Sequence, residues 1–208
     1  MRKWGDRMTA LTTRRAFLRG AALGAWTMPI WSLSVLAEPP SVFRPAGLLE
    51  FDRIIFDARR PHALAFGEAA HLLGARTHAT WGDVDDRWYE DLYRRWRTRK
   101  TPAAGITDFR SLFLVQMMAA DVGLRLVLRI HHGLRGAPAA HEAFGAHMYR
   151  AMSNARLAGS GRYWSREAAR LVLNLPERGA AETRYIGNLN EANLRTIDSN
   201  ALVTWVIA

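Results

Sequence analysis

Polar side chains that could move a proton or hold a polar ligand come directly after short apolar runs of the chain. Asp57 and Arg59 follow the run at residues 54–56, and His131 follows the Val/Leu/Ile-rich run at residues 124–130. A carboxylate, a guanidinium group and an imidazole are groups that proteins use for acid–base catalysis and for orienting bound ligands. Their position predicts a ligand-binding or catalytic site, provided that the apolar runs are strands of one sheet.

The apolar runs alternate with segments of helical spacing along residues 51–130. Ala65, Ala69 and Leu72 recur on one helix face, and Gly74 stands where a glycine can end that helix. The pattern predicts the order strand, helix, strand, helix, short strand, helix, strand. This alternation is typical of an α/β protein, and we expect a Rossmann-like three-layer sandwich with a mostly parallel sheet of four to five strands.

The carboxyl ends of parallel strands meet at one edge of a sheet, where ligands bind in open α/β folds. The sequence therefore predicts a ligand-binding rim, a name used below for the set Asp57, Arg59, Asp83, Thr107 and His131. Ordinary structural roles stay open for its members. They are capping of the next helix by Asp57 or Asp83, a surface ion pair for Arg59, and solvent exposure for His131.

After His132, the spacing of apolar residues along the sequence is less regular. Residues 139–155 are predicted to be helical, a helix is expected from Ser165 to residue 173, and residues 176–200 are predicted to be loop or broken helix. Residues 201–207, ALVTWVI, are predicted to form a final strand, either at a sheet edge or added antiparallel to the sheet.

Sequence motifs for nucleotide, metal and covalent cofactor binding are absent. No G-x-G-x-x-G follows the first predicted strand, and the chain has no cysteine, which excludes Cys-ligated iron–sulfur clusters, covalent c-type haem and a cysteine nucleophile. His141 and His147 lie six positions apart and point in different directions on a helix, so we expect surface residues and no zinc site. No cofactor or metal is predicted, although Met148 and Met152 beside His147 leave a non-covalent haem open.

The N-terminal segment has the pattern of an export signal. In the stretch TTRRAFLRGAALGAWTMPIWSLSVLAEPP, the adjacent residues Arg14 and Arg15 are followed by Phe17 and Leu18, and residues 20–37 carry no charge. This pattern resembles the twin-arginine (Tat) signal peptide, which addresses a protein to the bacterial Tat translocon. The resemblance implies a periplasmic protein that is exported after folding.

The same resemblance predicts where the signal is removed. Val35 and Ala37 place small or modest side chains at the −3 and −1 positions, so cleavage is expected between Ala37 and Glu38. A permanent transmembrane helix is the alternative, but residues 20–37 are at the short limit of a membrane span and contain Pro29. We therefore expect no permanent membrane anchor.

The predicted domain organisation is a signal peptide at residues 1–37 and a single α/β domain at residues 38–208, with residues 38–49 as an extended arm. Of the 29 Lys and Arg and 19 Asp and Glu of the chain, the predicted domain keeps 23 and 18, so much of the net charge of +10 belongs to the signal. This modest remaining charge and the export signal argue against nucleic acid as a partner.

Two functions follow from these patterns. The first is a Tat-exported periplasmic accessory or ligand-binding protein that travels with a cofactor-bearing partner enzyme. The alternative is a periplasmic enzyme of hydrolase or oxidoreductase type, with Asp57 or Asp83 as the acid–base residue and His131 as its partner. A purely structural role at the cell envelope is a third hypothesis, and the sequence does not decide whether the protein is an enzyme.

Overall fold

A six-stranded mixed sheet forms the centre of the computed structural model, which describes residues 46–81, 86–134, 137–183 and 197–208. The strands are β1 (Ile54–Asp57), β2 (Thr77–Thr80), β3 (Ala103–Thr107), β4 (Leu126–Leu134), β5 (Ala137–Gly145) and β6 (Ile197–Ile207). The helices are α1 (Pro61–Leu72), α2 (Asp86–Thr98), α3 (Phe109–Asp121), α4 (His147–Leu157), α5 (Trp164–Leu173) and α6 (Glu177–Glu182), with a 3-10 turn at Gly161–Tyr163.

The strand order across the sheet is β2-β1-β3-β6-β4-β5. β1 pairs in parallel with β2 and with β3, whereas β6 pairs antiparallel with both β3 and β4, and β5 pairs antiparallel with β4. β4 therefore runs in the same direction as β1, β2 and β3. The result is an α/β sheet in which four strands share one direction and two run against them.

Helices cover both faces of this sheet, and each face has its own apolar core. On the first face, called the α1 face below, Phe56 and Ile106 pack with buried residues of α1 and α5 such as Phe66 and Leu171. On the second face, called the α3 face below, the strand residues pack with buried residues of α2 and α3. The alternation of side chains along each strand separates the two cores.

The α/β class and the order of the first seven elements are confirmed. Gly74 and Gly123, with φ of 81° and 79°, follow α1 and α3 as left-handed residues that end a helix. The predicted count of four to five strands is wrong, since six strands are described, and the sheet is mixed and not strictly Rossmann-like. The additional strand is β5, and the sheet is mixed because β5 and β6 run against the other four strands.

The C-terminal strand β6 is antiparallel to its neighbours, which was one of the two predicted arrangements. The other, a position at the edge of the sheet, is wrong, because β6 lies at the centre. Val203 and Trp205 are buried on the α3 face, and Leu202 and Val206 are buried on the α1 face. A strand with apolar side chains on both faces is stabilised most where both faces and both edges are covered. That requirement places β6 between β3 and β4.

The predicted helix at residues 139–155 is wrong in its first half. Residues 137–145 form β5, and the helix begins at His147. The alanine-rich stretch has good helix propensity, but pairing with the edge of β4 outweighs it. Gly145, at φ 152°, makes the close approach possible, because a Cβ there would lie 2.6 Å from the carbonyl oxygen of Val127.

The predicted boundary between residues 37 and 38 and the predicted arm up to residue 45 lie outside the described residues, as do Arg14, Arg15, Phe17 and Leu18 of the export signal. These predictions stay predictions. Among the helices that the structure describes, none combines the length and apolar character needed to cross a membrane.

Candidate functional site

Three members of the predicted rim lie on one row across the sheet. The last recorded pair of the parallel strands β1 and β3 is Phe56 with Ile106. The next residue of each strand, Asp57 in β1 and Thr107 in β3, therefore lies at the same level. Thr107 and His131 both pair with Val203 of β6. Residues paired across neighbouring strands share a face of the sheet, so Asp57, Thr107 and His131 lie on the α3 face near the carboxyl ends of their strands.

The two ends of this row are far apart. β3 and β6 separate β1 from β4, and strands lie about 4.8 Å apart, so Asp57 and His131 are separated by about 14 Å. A proton does not pass directly between side chains at that distance. The insertion of β6 therefore argues against Asp57 and His131 as a direct acid–base pair.

The chain reverses its direction of winding at β1. β2 lies on one side of β1 and β3 on the other, while α1 covers the α1 face and α2 covers the α3 face. Such a switch point opens a crevice beyond the carboxyl ends of the two central strands, where open α/β sheets bind ligands. Asp57 and Thr107 are the last residues of the two strands at this point of the sheet.

Asp57 is held in an ion pair at the end of β1. It is buried, and its carboxylate accepts hydrogen bonds from the backbone N–H of Arg59 at 3.1 Å and from the Nε and Nη2 of the same residue at 3.2 Å. The guanidinium of Arg59 is about half exposed. The ion pair expected for Arg59 is therefore present, and its partner is Asp57, whose oxygens also stabilise the turn into α1.

Thr107 has a fully satisfied hydroxyl group. Its Oγ1 donates to the backbone oxygen of Asp108 at 3.0 Å and accepts from the indole Nε1 of Trp205 at 3.1 Å. Asp108 caps α3 by accepting a hydrogen bond from the N–H of Ser111 at 2.8 Å. Thr107 thus joins the start of α3 to the central strand.

His131 is a buried member of the rim whose ring nitrogens are not hydrogen-bonded to any described residue. Its side chain is only 1 % exposed, and neither ring nitrogen has a hydrogen-bond partner among the described residues. Burial, together with the neighbouring positive charge of Arg129, lowers its pKa to about 4. The imidazole is therefore neutral at pH 7 and offers one donor and one acceptor. Solvent exposure, the ordinary alternative, does not apply.

Arg129 lies beside His131 on the same face, and sequence reasoning overlooked it. Its guanidinium carbon stands 4.7 Å from the ring centroid of Phe144 on β5, and the same ring lies 5.0 Å from that of His131. Burial lowers the pKa of Arg129, while the carboxylate of Glu142 acts in the opposite direction. A charged residue inside the apolar run LVLRI was the available signal for a polar position on this face.

A second group of functional side chains lies at the same edge of the sheet, on the α1 face. It consists of His62, His132, His141, Trp164 and Thr204, and is called the histidine–tryptophan cluster below. The ring of Trp164 stacks on His132 with centroids 4.1 Å apart, and it lies 4.9 Å from His62 and 5.3 Å from His141. Three imidazoles therefore surround one indole.

Hydrogen bonds run through the centre of this cluster. The Nδ1 atoms of His132 and His141 are 2.8 Å apart, and the Nε2 of His132 is 2.8 Å from the hydroxyl of Thr204. Burial lowers the pKa of His132 well below its usual value, and the nearby histidines add to the effect. Burial also lowers the pKa of His141. The two imidazoles are therefore a neutral pair that shares a hydrogen bond.

Sequence reasoning did not find this pair. It placed His141 on the surface of a helix, whereas His141 lies on β5 and pairs directly with His132 of β4. Asp83, the remaining member of the rim, lies outside the described residues.

A cavity of about 530 Å³ opens at the opposite edge of the sheet, where the strands begin. Arg76, Arg95 and Arg99 line it, together with Asp52 and Trp96. Helices α1 and α2 end at this edge, and their C-terminal dipoles favour positive side chains. The arginines thus have a structural explanation, and Arg95 already forms an ion pair with Asp91 at 3.0 Å.

Within the part of the chain that the structure describes, no three His, Asp or Glu side chains converge in a way that could hold a metal ion. Comparison of the chain with protein-family models, with curated proteins and with solved structures finds no match.

Proposed function

We propose that the chain is a Tat-exported periplasmic ligand-binding or accessory protein, and that its ligand is held on the α3 face at the carboxyl ends of the strands. The export signal supports the compartment, through Arg14, Arg15, Phe17 and Leu18. The row that contains Thr107 and His131 supports the place of binding.

The observation that carries the proposal is the burial of His131 without a hydrogen-bond partner among the described residues. Buried polar side chains are nearly always bonded, and leaving one unbonded costs about 1–3 kcal/mol. In this proposal, a bound molecule completes the hydrogen bonds of His131. The proposed ligand therefore presents a donor and an acceptor to a neutral imidazole.

The shape of the sheet supports a ligand of moderate size. In the parallel part of the sheet, made of β2, β1 and β3, the proposed binding crevice lies beyond the carboxyl ends of β1 and β3. From that crevice to His131, a ligand has to extend across two strand spacings, about 10 Å. This is the size of a small organic molecule with polar groups at both ends.

An accessory role fits the same site. The Tat pathway carries folded proteins, and a chain without a cofactor motif has a reason to use it when it folds around a ligand or accompanies a cofactor-bearing partner. Nucleic acid does not fit the modest net charge that remains after residue 37.

Native mass spectrometry of the protein, purified from the periplasm of its own host, tests this proposal. We expect an added mass for the wild-type protein, from a small molecule or a partner chain, and its loss in His131→Leu. His147→Gln is the matched control, because His147 is exposed at the start of α4. A bare polypeptide mass for the wild-type protein, or an added mass that His131→Leu retains, would contradict the proposal.

The enzyme hypothesis is the second candidate, and one observation favours it. The neutral pair of His132 and His141, with Thr204 behind it, resembles the hydrogen-bonded chains that orient a catalytic base. The direct pair of Asp57 and His131 does not support this hypothesis, because two strands lie between them.

A further inference from the structure

We propose that Thr204, His132 and His141 form a proton relay, and that the Nε2 atom of His141 accepts a proton from water during the hydrolysis of an ester. This inference concerns the α1 face and is independent of the ligand-binding proposal for the α3 face. It names one reacting atom, on His141, and two positioning residues, His132 and Thr204.

The hydrogen bonds of the relay constrain its tautomers. A neutral imidazole has one N–H, so His132 donates through one ring nitrogen and accepts through the other. When His132 donates from Nε2 to Thr204, its Nδ1 accepts from the Nδ1–H of His141. The Nε2 of His141 then carries a lone pair and is a proton acceptor. When Nε2 takes up a proton, His141 becomes an imidazolium with an N–H on both ring nitrogens, and its Nε2–H can return that proton.

Packing holds the relay in a single orientation. Thr204 is fully buried, His132 is 3 % exposed, and Trp164 stacks on His132 at an angle of 25° between the ring planes. His141 is only half-buried, on the edge strand β5. Among the described residues its only recorded hydrogen bond is the one to His132, through Nδ1. One end of the relay is thus fixed in the core, and the other reaches the surface.

The chemistry follows from this arrangement. A base that is neutral at pH 7 and held by a second group can activate water, and the second group fixes its tautomer. The Nε2 of His141 takes a proton from water as the water oxygen bonds to the ester carbonyl carbon. The bond from that carbon to the alcohol oxygen then breaks, and the proton goes to the departing alcohol, so His141 is regenerated. The products are a carboxylic acid and an alcohol.

The pH dependence has a defined sign. His132 from β4 and Trp164 from α5 lie against His141, and His62 from the start of α1 lies against the same Trp164. No carboxylate of the described residues acts on His141. Burial lowers the pKa of His141. Hydrolysis by this residue should rise with pH through a midpoint below about 6.5, the value of a free imidazole, and should be constant above it.

The test is the hydrolysis of p-nitrophenyl acetate by the purified full chain, followed by the absorbance of p-nitrophenolate between pH 4.5 and 8. We expect His141→Gln to lower the rate at pH 7 by at least about tenfold. Thr204→Val should lower the rate and move the midpoint of the pH profile, while Thr204→Ser, which keeps the hydroxyl, should restore both. His147→Gln, which alters an exposed histidine, should leave the rate unchanged.

Each outcome decides the proposal. A rate in His141→Gln equal to that of the wild-type protein, or an equal loss in His147→Gln, overturns it. Equal pH profiles for Thr204→Ser and Thr204→Val show that Thr204 does not act through its hydroxyl and overturn the relay. Circular dichroism confirms folding of each variant, and if Thr204→Val does not fold, the profile of His132→Asn takes its place.

Discussion

His131 and His132 are adjacent on β4 and are both buried, with 1 % and 3 % exposure, yet their hydrogen bonding is opposite. His132 is bonded through both ring nitrogens, each at 2.8 Å, whereas His131 has no bonding partner among the described residues. The two-residue period of a strand explains the difference, because it directs the two rings to opposite faces of the sheet. One ring belongs to a polar network, and the other packs without a hydrogen bond to any described residue.

This difference predicts opposite effects of the same substitution. His131→Leu removes an unbonded polar group and should leave the free energy of unfolding unchanged or raise it by about 1 kcal/mol at pH 7. His132→Leu leaves the hydroxyl of Thr204 and the Nδ1 of His141 without their partner and should lower it by about 2–3 kcal/mol. Urea denaturation of both variants checks this, and a large loss in His131→Leu would show that its ring is bonded in the folded protein.

Acid should destabilise the protein through His131. Its pKa is about 4 in the folded chain and about 6.5 when unfolded, so the unfolded chain binds more protons between these values. Stability is therefore complete above about pH 6.5 and decreases as the pH falls towards 4, by about 2 kcal/mol between pH 7 and pH 5 for His131 alone. Arg129 and Glu142 are the charged groups that face this ring.

Denaturation curves at pH 7 and pH 5 measure this effect. His131→Leu should lose about 2 kcal/mol less than the wild-type protein over this interval, because the contribution of His131 is removed. His147→Gln should behave like the wild-type protein. An identical loss in the wild-type protein and in His131→Leu would mean that His131 is not held neutral in the folded chain.

Thr107 should stabilise the sheet through the indole of Trp205. Thr107→Val keeps the shape of the side chain but leaves the buried Nε1–H of Trp205 without its acceptor, so the free energy of unfolding should fall by about 1–2 kcal/mol. Thr107→Ser retains the oxygen and should keep most of the stability. Thermal unfolding followed by tryptophan fluorescence distinguishes them, and equal stability of the two variants would speak against this hydrogen bond.

Export should depend on the paired arginines. Replacing Arg14 and Arg15 together by Lys keeps the charge but removes the recognised pair, so the full-length precursor should accumulate in the cytoplasm. For the wild-type protein, N-terminal sequencing of the periplasmic fraction should begin at Glu38. Export of the double variant at the wild-type level would show that the Tat route is not used.

The order of the first seven elements could be predicted because its signals are local. Apolar runs, helical spacing and the terminating residues Gly74 and Gly123 are properties of neighbouring positions in the sequence. The polar residues at the ends of β1, β3 and β4 could be named in advance for the same reason. Asp57, Thr107 and His131 do lie on one row at the carboxyl ends of their strands.

The β5 strand could not be predicted, because its local pattern favours a helix. Residues 137–145 are rich in alanine, and they become a strand only through hydrogen bonds to β4. The pair of His132 and His141 depends on this hairpin. Local periodicity therefore placed His141 on the wrong kind of element and did not reveal its hydrogen bond with His132.

The sequence by itself determined the α/β class, the alternation of elements and the presence of polar residues at the strand ends, since each depends on interactions between near neighbours. Only the tertiary structure decided that β6 lies between β3 and β4, which separates Asp57 from His131 by about 14 Å. It also decided that His132 meets His141. Strand order and register are set by pairing between distant segments, and no local pattern encodes which of the available edges a strand will join.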